Sequence, residues 1–177
     1  MCTALAFLCQ DDVPKQPSDV DALIDDGTRL YNDIGLDKGG MTIAEVPSCV
    51  CMRDNEYKLS FRESRGGLVA QNCDDNDSLT FCVKSALCSA IEEACTLIVT
   101  LGSATGSTVA IKKTGNVFVA FDSHSRDETG MCTPDGKAVV IQLSSLNAVL
   151  LYIKELASSI SSDVHVPFEI TAVSITV

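Results

Sequence analysis

The sequence predicts an α+β fold in which an antiparallel sheet packs against helices. Three observations support this prediction. Apolar residues recur with helical spacing in the first part of the chain, three apolar strand segments follow at 96–101, 107–113 and 117–123, and the links between those strands are short and contain glycine. Such links join antiparallel neighbours. With 177 residues, of which 46% are hydrophobic, residues 1–177 are predicted to form a single domain with its own core.

Two helices are predicted at the start of the chain. Residues 2–9 are almost entirely apolar, which is typical of a short buried helix. Ser18 is a candidate cap for a second helix, with Asp19 in its first turn. Apolar residues and a glycine then trace one helical face at Val20, Leu23, Ile24, Gly27, Leu30, Tyr31 and Ile34.

The middle of the chain alternates between extended and helical patterns. Residues 46–64 read as extended, and the alternation around Leu59 is that of a half-buried strand. Gly66 and Gly67 are interpreted as a turn, and residues 74–77 as an acidic loop. Ser78 is a candidate cap for a third helix that runs from residue 79 to residue 94.

The last part of the chain completes the pattern after the three strands. A fourth strand is predicted at 138–143, followed by a fourth helix that Ser144 or Ser145 would cap and that extends to Ile160. A final strand covers residues 168–177.

Composition and charge exclude several classes of protein. The net charge of −11 and the isoelectric point of about 4.4 argue against a nucleic-acid surface; they favour a basic partner or serve solubility alone. The longest apolar stretch is too short to span a membrane. The first nine residues lack the basic leader and the cleavage site of a signal peptide.

Nine cysteines are an odd and high number, and no pair has CxxC spacing. We therefore expect mostly free thiols that act as small buried apolar groups, and a reducing compartment: the cytoplasm, with the nucleus as an alternative. Cys49 and Cys51, like Cys88 and Cys95, lack the spacing of a zinc ribbon. Neither a structural metal nor a cofactor is expected.

The segment at residues 121–127 carries the most informative chemistry. Asp122 and His124 point to the same side of a strand, so they can form the orienting half of a nucleophilic triad. His124 would act as general base and then general acid, and Asp122 would fix its tautomer. Asp127 is a rival orienting residue, and His165 reads as a surface residue. The alternatives are a strand-end histidine beside a surface aspartate and, more remotely, an iron site formed by Asp122, His124 and His165.

Cys2 is the candidate nucleophile. It opens the first predicted helix, where unpaired backbone amides and the helix dipole favour a thiolate. Taken alone, Cys2 is better interpreted as one of nine cysteines without a special role. Together with Asp122 and His124, the catalytic interpretation is favoured.

These residues resemble the deubiquitinase domain at the N-terminus of herpesvirus large tegument proteins and the related deubiquitinases of cells and mobile elements. The resemblance runs in order through most of the chain, from Cys2-Thr3-Ala4-x-Ala6 and Gly27-x-x-Leu30-Tyr31 through Tyr57-x-Leu59-Ser60-x-x-Glu63-Ser64, Ser78-Leu79, residues 97–103, Val109-Ala110-Ile111, residues 121–127, Gly130 and Asp135-Gly136-x-Ala138-Val139 to Phe168-Glu169-Ile170-Thr171.

The resemblance implies a papain-like cysteine protease that acts on ubiquitin or polyubiquitin. It would hydrolyse the bond after the C-terminal glycine of ubiquitin through an acyl-enzyme on Cys2, with His124 and Asp122 in the other family roles. The family pattern also has a glutamine before the nucleophile, whereas Met1 alone precedes Cys2 here, and Gln10 follows it. Two alternatives stay open: a ubiquitin-binding module with weak or no turnover, and an N-terminal-nucleophile hydrolase if Met1 is removed.

Overall fold

The computed structural model describes residues 1–35, 41–72, 80–102, 106–163 and 165–177. Within these ranges the chain forms four α-helices, α1 (Cys2–Leu8), α2 (Pro17–Ile34), α3 (Val83–Glu93) and α4 (Leu146–Ile160). A short 3-10 helix lies at Ile43–Glu45. The strands are β1 (Cys49–Met52), β2 (Asn55–Phe61), β3 (Arg65–Leu68), β4 (Thr96–Leu101), β5 (Ser107–Thr114), β6 (Val117–Arg126), β7 (Lys137–Leu143) and β8 (Pro167–Thr176).

All strands join one antiparallel sheet in the order β1-β2-β8-β4-β5-β6-β7, and β3 also pairs with β8. The meander predicted from the short links is confirmed for β4, β5 and β6, and β7 extends it as the next antiparallel strand. The interpretation of Gly66 and Gly67 as a turn is wrong, because both lie inside β3. A Cβ atom on Gly67 would collide with the backbone oxygen of Phe81, so this glycine permits a close approach of two chain segments.

The helix positions are close to those predicted, but the N-caps of α2 and α3 differ from the predicted residues. The helix α1 begins at Cys2 and ends at Leu8, and Ser145 caps α4 by accepting from the backbone of Ala148. Ser18 does not cap α2: that helix begins at Pro17, and Gln16 and Asp19 form a capping box at its start.

The third helix starts later in the chain than predicted. It begins at Val83, and Cys82 is its N-cap. Ser78, Leu79 and the acidic stretch at residues 74–77 lie outside the described residues. The extended region at 46–64 contains a tight hairpin that the sequence pattern did not reveal, with Arg53 and Asp54 both at positive φ in the turn between β1 and β2.

The sheet is covered by helices on both faces, and the two faces bury separate apolar clusters. The helices α1 and α2 pack on one face, against Ile98, Ala110 and Phe121. The helices α3 and α4 pack on the other, against neighbouring residues of the same strands such as Val99 and Val109. Since successive strand residues point to opposite faces, the central strands are apolar along almost their whole length.

Most described cysteines are free thiols, but several of these thiols are exposed and not buried as expected. Among the residues that the structure describes, Cys82 is disulfide-bonded and seven other cysteines are free. Cys2 and Cys9 are buried, whereas the expectation of buried thiols is wrong for the exposed Cys49, Cys51, Cys95 and Cys132. Among the described residues, no helix is long and apolar enough to cross a membrane.

Candidate functional site

Asp122 and His124 are in direct contact near the end of β6. The Nδ1 atom of His124 lies 2.6 Å from Oδ1 of Asp122, and the backbone amide of His124 donates to the same oxygen at 2.9 Å. The Asp122 side chain is fully buried, whereas that of His124 is 42% exposed. The register of β6 against β7 shifts between Asp122 and Arg126, and such an irregularity re-aims side chains at the end of a strand. The pair therefore has a buried orienting carboxylate and an accessible imidazole.

A buried arginine holds the other side of Asp122. Arg126 donates from Nε to Oδ2 of Asp122 at 2.7 Å and from Nη2 to Oγ of Ser107 at 2.6 Å. Its third contact is from Nη1 to the sulfur of Cys132. Sequence reasoning missed Arg126, although its position four residues after Asp122 becomes a contact once the strand irregularity is known.

These contacts determine the charge of Asp122. Burial acts to raise its pKa, but hydrogen bonds from His124 and Arg126 outweigh that effect and lower the pKa below its ordinary value. An ionised carboxylate only accepts hydrogen bonds, so in a neutral imidazole at this position Nδ1 carries the proton and Nε2 is the proton acceptor. This is the tautomer that a general base requires.

Cys2 is placed by the docking of α1 onto the sheet. Thr3, the next residue, shares a 2.9 Å hydrogen bond between its hydroxyl and that of Ser123, which precedes His124. Gly27 of α2 crosses α1 at the same point, where an added Cβ atom would lie 2.6 Å from Cα of Thr3. A glycine is needed there because the two helices approach too closely for any side chain.

The surroundings of the Cys2 thiol differ from the expectation. Burial raises the pKa of Cys2, and the opposing effect of the Met1 ammonium is smaller. The expectation of a thiolate stabilised by the helix start is therefore wrong, since α1 buries the thiol as it positions it. The sulfur of Cys2 also lies 3.8 Å from the thioether sulfur of Met41.

A cleft of about 740 Å³ joins these elements. It is lined by His124 and by Met1 and Met41, which are the chain neighbour of Cys2 and the residue that its thiol contacts. The N-terminal end of α1 and the end of β6 thus meet at one cleft. Its remaining walls include the facing strands β4, β5 and β8.

Other sequence candidates lie apart from this arrangement. The carboxylate of Asp127 accepts hydrogen bonds from Thr129 and Met131, so it stabilises its own loop and is not an orienting residue for His124. His165 is exposed, and its backbone amide is bound by Asp163. Gln10 lines a different cleft on the far end of α1.

The remote iron-site alternative receives no support from these placements. Among the residues that the structure describes, no group of three or more His, Cys, Asp or Glu side chains is arranged to hold a metal ion. In particular, the Asp122 carboxylate is already bound on both oxygens, by His124 and by Arg126.

Two solved structures share this architecture. The ubiquitin-specific protease of the murine cytomegalovirus tegument protein M48, solved in complex with a ubiquitin-based suicide substrate, matches with a TM-score of 0.75 and 15% identity over 99% of this chain and 77% of that chain. The Pseudomonas avirulence protein AvrPphB matches with a TM-score of 0.52 and 16% identity over 99% of this chain and 91% of that chain. The predicted papain-like cysteine protease fold is thereby confirmed.

Comparison at the sequence level identifies a family for the chain, although no curated protein matches it. The model of the N-terminal conserved region of the herpesvirus tegument protein matches residues 3–177, which is nearly the whole sequence. The chain therefore belongs to the herpesvirus tegument protein N-terminal family.

Proposed function

We propose that this protein is a deubiquitinase that hydrolyses the isopeptide or peptide bond after the C-terminal glycine of ubiquitin. Cys2 is the proposed nucleophile, His124 the general base and acid, and Asp122 the residue that orients His124. The observation that carries the proposal is the buried Asp122 carboxylate in contact with Nδ1 of an accessible imidazole, beside the helix that begins at Cys2.

The raised pKa of Cys2 determines the first chemical step. Because the resting thiol is neutral, Nε2 of His124 takes its proton as the sulfur attacks the carbonyl carbon of the terminal glycine. The carbon–nitrogen bond then breaks, and the imidazolium gives its proton to the departing amine of the partner lysine or N-terminus. A thioester on Cys2 remains.

Hydrolysis of the thioester completes the cycle. His124 removes a proton from water as the water oxygen attacks the thioester carbonyl. The carbon–sulfur bond then breaks, the imidazolium returns its proton to the departing sulfur of Cys2, and ubiquitin leaves with a free carboxylate. Throughout, Asp122 stabilises the positive charge that forms on the imidazole and keeps its ring in position.

The comparisons support this choice of substrate. The M48 protein, whose solved structure shares the fold, is a ubiquitin-specific protease and was captured with a ubiquitin-based substrate. The negative charge of this chain also suits a basic partner. We propose that the protein acts in a reducing compartment, the cytoplasm or the nucleus, because the Cys2 thiol must stay reduced to act as a nucleophile.

The test is a reaction with ubiquitin that carries an electrophile at its C-terminus. We expect one adduct, on Cys2, located by mass spectrometry of the digested protein. The exposed thiols Cys51 and Cys95 are internal controls, since a nonspecific electrophile would modify them first. A folded sample that forms no adduct on Cys2, or forms it equally well after His124→Ala, would contradict the proposal.

A second candidate function is ubiquitin binding without efficient turnover. The contact of Met41 with the Cys2 sulfur and the raised pKa of that thiol favour it, because both keep the nucleophile in an unreactive state. It predicts ubiquitin affinity that survives Cys2→Ala and no release of fluorophore from a C-terminal ubiquitin amide. Turnover by the parent that disappears in Cys2→Ala would exclude this candidate.

The N-terminal-nucleophile alternative is addressed by the same sample. Cys2 lies in α1 with Met1 as its N-cap. Intact mass decides the question, because an active protein that retains Met1 has no free amine on Cys2 to act as base.

A further inference from the structure

The hydroxyl groups of Thr3 and Ser123 form a hydrogen bond between the two segments that carry the proposed reacting groups. Their oxygens lie 2.9 Å apart, although the residues are separated by 120 positions in the chain. Thr3 follows Cys2 directly, and Ser123 precedes His124. The bond therefore ties the first turn of α1 to the end of β6, one residue away from the thiol and from the imidazole.

A second contact between α1 and β6 fixes how the two elements run. The rings of Phe7 and Phe121 stack with their centroids 5.3 Å apart. Phe7 lies four residues after Thr3, a rise of about 6.0 Å along a helix. Phe121 lies two residues before Ser123 on the same face of the strand, which is a step of about 6.7 Å. The two steps are nearly equal, so α1 lies along β6 in the opposite direction, with one contact at each end.

This arrangement brings Cys2 and His124 to the same end of the interface. Moving outward from the hydroxyl pair, the next residue is Cys2 on α1 and His124 on β6. A slip of one residue along β6 would turn Ser123 away from α1, because successive strand residues point to opposite faces. The register of α1 on β6 thus determines how closely the sulfur can approach the imidazole.

Neither segment is held in place by its own secondary structure. Met1, the N-cap of α1, makes no side-chain capping hydrogen bond, and a helix of seven residues is unstable without tertiary contacts. Between Asp122 and Arg126 the strand β6 advances four residues while β7 advances two, so regular pairing with β7 does not set the position of His124. The bond between the two hydroxyl groups supplies a constraint that the local structure of each segment lacks.

Thr3 has the side chain that this position requires. Its methyl group faces Gly27 of α2, where an added Cβ atom would collide with it, and its hydroxyl faces Ser123. Because both branches of the side chain have a partner, one rotamer of this β-branched residue satisfies them together. Valine would keep the methyl contact and lose the hydrogen bond, whereas serine would keep the hydrogen bond and lose the methyl contact.

We propose that Thr3 and Ser123 are positioning residues that set the approach of the Cys2 sulfur to the imidazole of His124. The inference rests on the proposed function, because it takes these two groups to react together. Each hydroxyl acts through its neighbour in the chain. A displacement of about 1 Å at a reacting group can lower the rate about 10²-fold, whereas the loss of one partly exposed hydrogen bond has a small effect on folding. The effect of the pair is therefore expected in kcat.

The test is the rate of fluorophore release from a C-terminal ubiquitin amide by Thr3→Val, Ser123→Ala and the double variant. We expect kcat to fall roughly 10- to 100-fold in each single variant, with KM within about twofold of the parent value. The double variant is expected to be at most about threefold slower than the worse single variant, because either change breaks the same bond. Thr3→Ser keeps the hydroxyl and is expected to hold kcat within about threefold of the parent value.

A second pair of hydroxyl groups serves as the matched control. Ser64, in the link between β2 and β3, shares a bond of 2.7 Å with Thr171 of β8. Ser64→Ala removes a bond of the same kind and is expected to leave kcat and KM unchanged. Circular dichroism at the assay temperature gives the folded fraction of each variant. Equal losses in Ser64→Ala and Ser123→Ala, a fall in kcat that matches a fall in folded fraction, or single losses that multiply in the double variant would each overturn the inference.

Alkylation of Cys2 by iodoacetamide separates the failure of the two proposals. If His124→Ala slows alkylation but ubiquitin is not cleaved, the deubiquitinase is contradicted. Slower alkylation in Thr3→Val then supports the positioning pair, and an unaltered rate overturns it. Turnover that ignores Thr3→Val and Ser123→Ala supports the enzyme and overturns the pair. If neither turnover nor alkylation depends on His124, neither proposal holds.

Discussion

The contact between Arg126 and Asp122 leads to a quantitative prediction for Arg126→Met. Arg126 is 3% exposed and Asp122 is fully buried, so the substitution leaves a carboxylate without one of its charged donors inside the protein. The Ser107 hydroxyl also loses its donor. Removing one partner of a buried ion pair typically costs about 3–5 kcal/mol, and we expect that loss in the free energy of unfolding measured by urea at neutral pH.

A double-mutant cycle tests whether the loss comes from the pair. Asp122→Asn alone leaves the guanidinium buried without its counter-charge, whereas the double variant removes both charges. We expect the double variant to lose less than the sum of the single losses, by about 1–3 kcal/mol. Arg65→Met is the matched control, because Arg65 pairs with Glu93 at the surface, and its loss is expected to be much smaller. Additive effects, or equal losses for the two arginine variants, would refute the reasoning.

Three further predictions concern the same region. The pKa of Asp122 is lowered in the folded protein, so its stabilising contribution is present above about pH 4, the ordinary aspartate range, and is lost as the pH falls through the folded pKa. Urea unfolding between pH 5 and 2 should show this loss of stability in the parent protein and a flatter profile in Asp122→Asn. Gly27→Ala should lower the free energy of unfolding by about 1–3 kcal/mol and slow adduct formation on Cys2, since the new methyl group displaces Thr3. Unchanged stability and rate would show that α1 and α2 can move apart without cost. Met41→Ala should raise the rate at which iodoacetamide alkylates Cys2, measured by mass spectrometry. Cys9 is the unreactive reference, because burial raises its pKa to about 12. An unaltered rate would mean that Met41 does not shield the Cys2 thiol.

The strand content of the second half and the contact of Asp122 with His124 followed from local patterns. Alternation and short glycine links are properties of neighbouring residues, and residues two apart on a strand share a side. Gly66 and Gly67 were misread because glycine is most frequent in turns, whereas here its small size admits the backbone of Phe81. That requirement arises from a distant segment, which a local pattern does not contain.

The environment of Cys2 and the role of Arg126 depend on tertiary contacts in the same way. The helix-start argument predicts a lowered thiol pKa from backbone charges alone, but packing of α1 against α2 and the sheet adds burial, which acts in the opposite direction. Arg126 contacts Asp122 because the strand register shifts between them, and no residue type in the sequence predicts that shift. Sequence reasoning therefore predicted the contact of Asp122 with His124 but not the raised pKa of the Cys2 thiol.

The position of β8 in the sheet has a consequence for biosynthesis. This strand is the last in chain order but lies between β2 and β4, so it joins the two halves of the sheet. While the nascent chain is still being translated, both of those strands have an open edge, and unpaired edges invite pairing with other chains. The sheet is therefore expected to close only after β8 has left the ribosome, and a chain that terminates before residue 167 should aggregate.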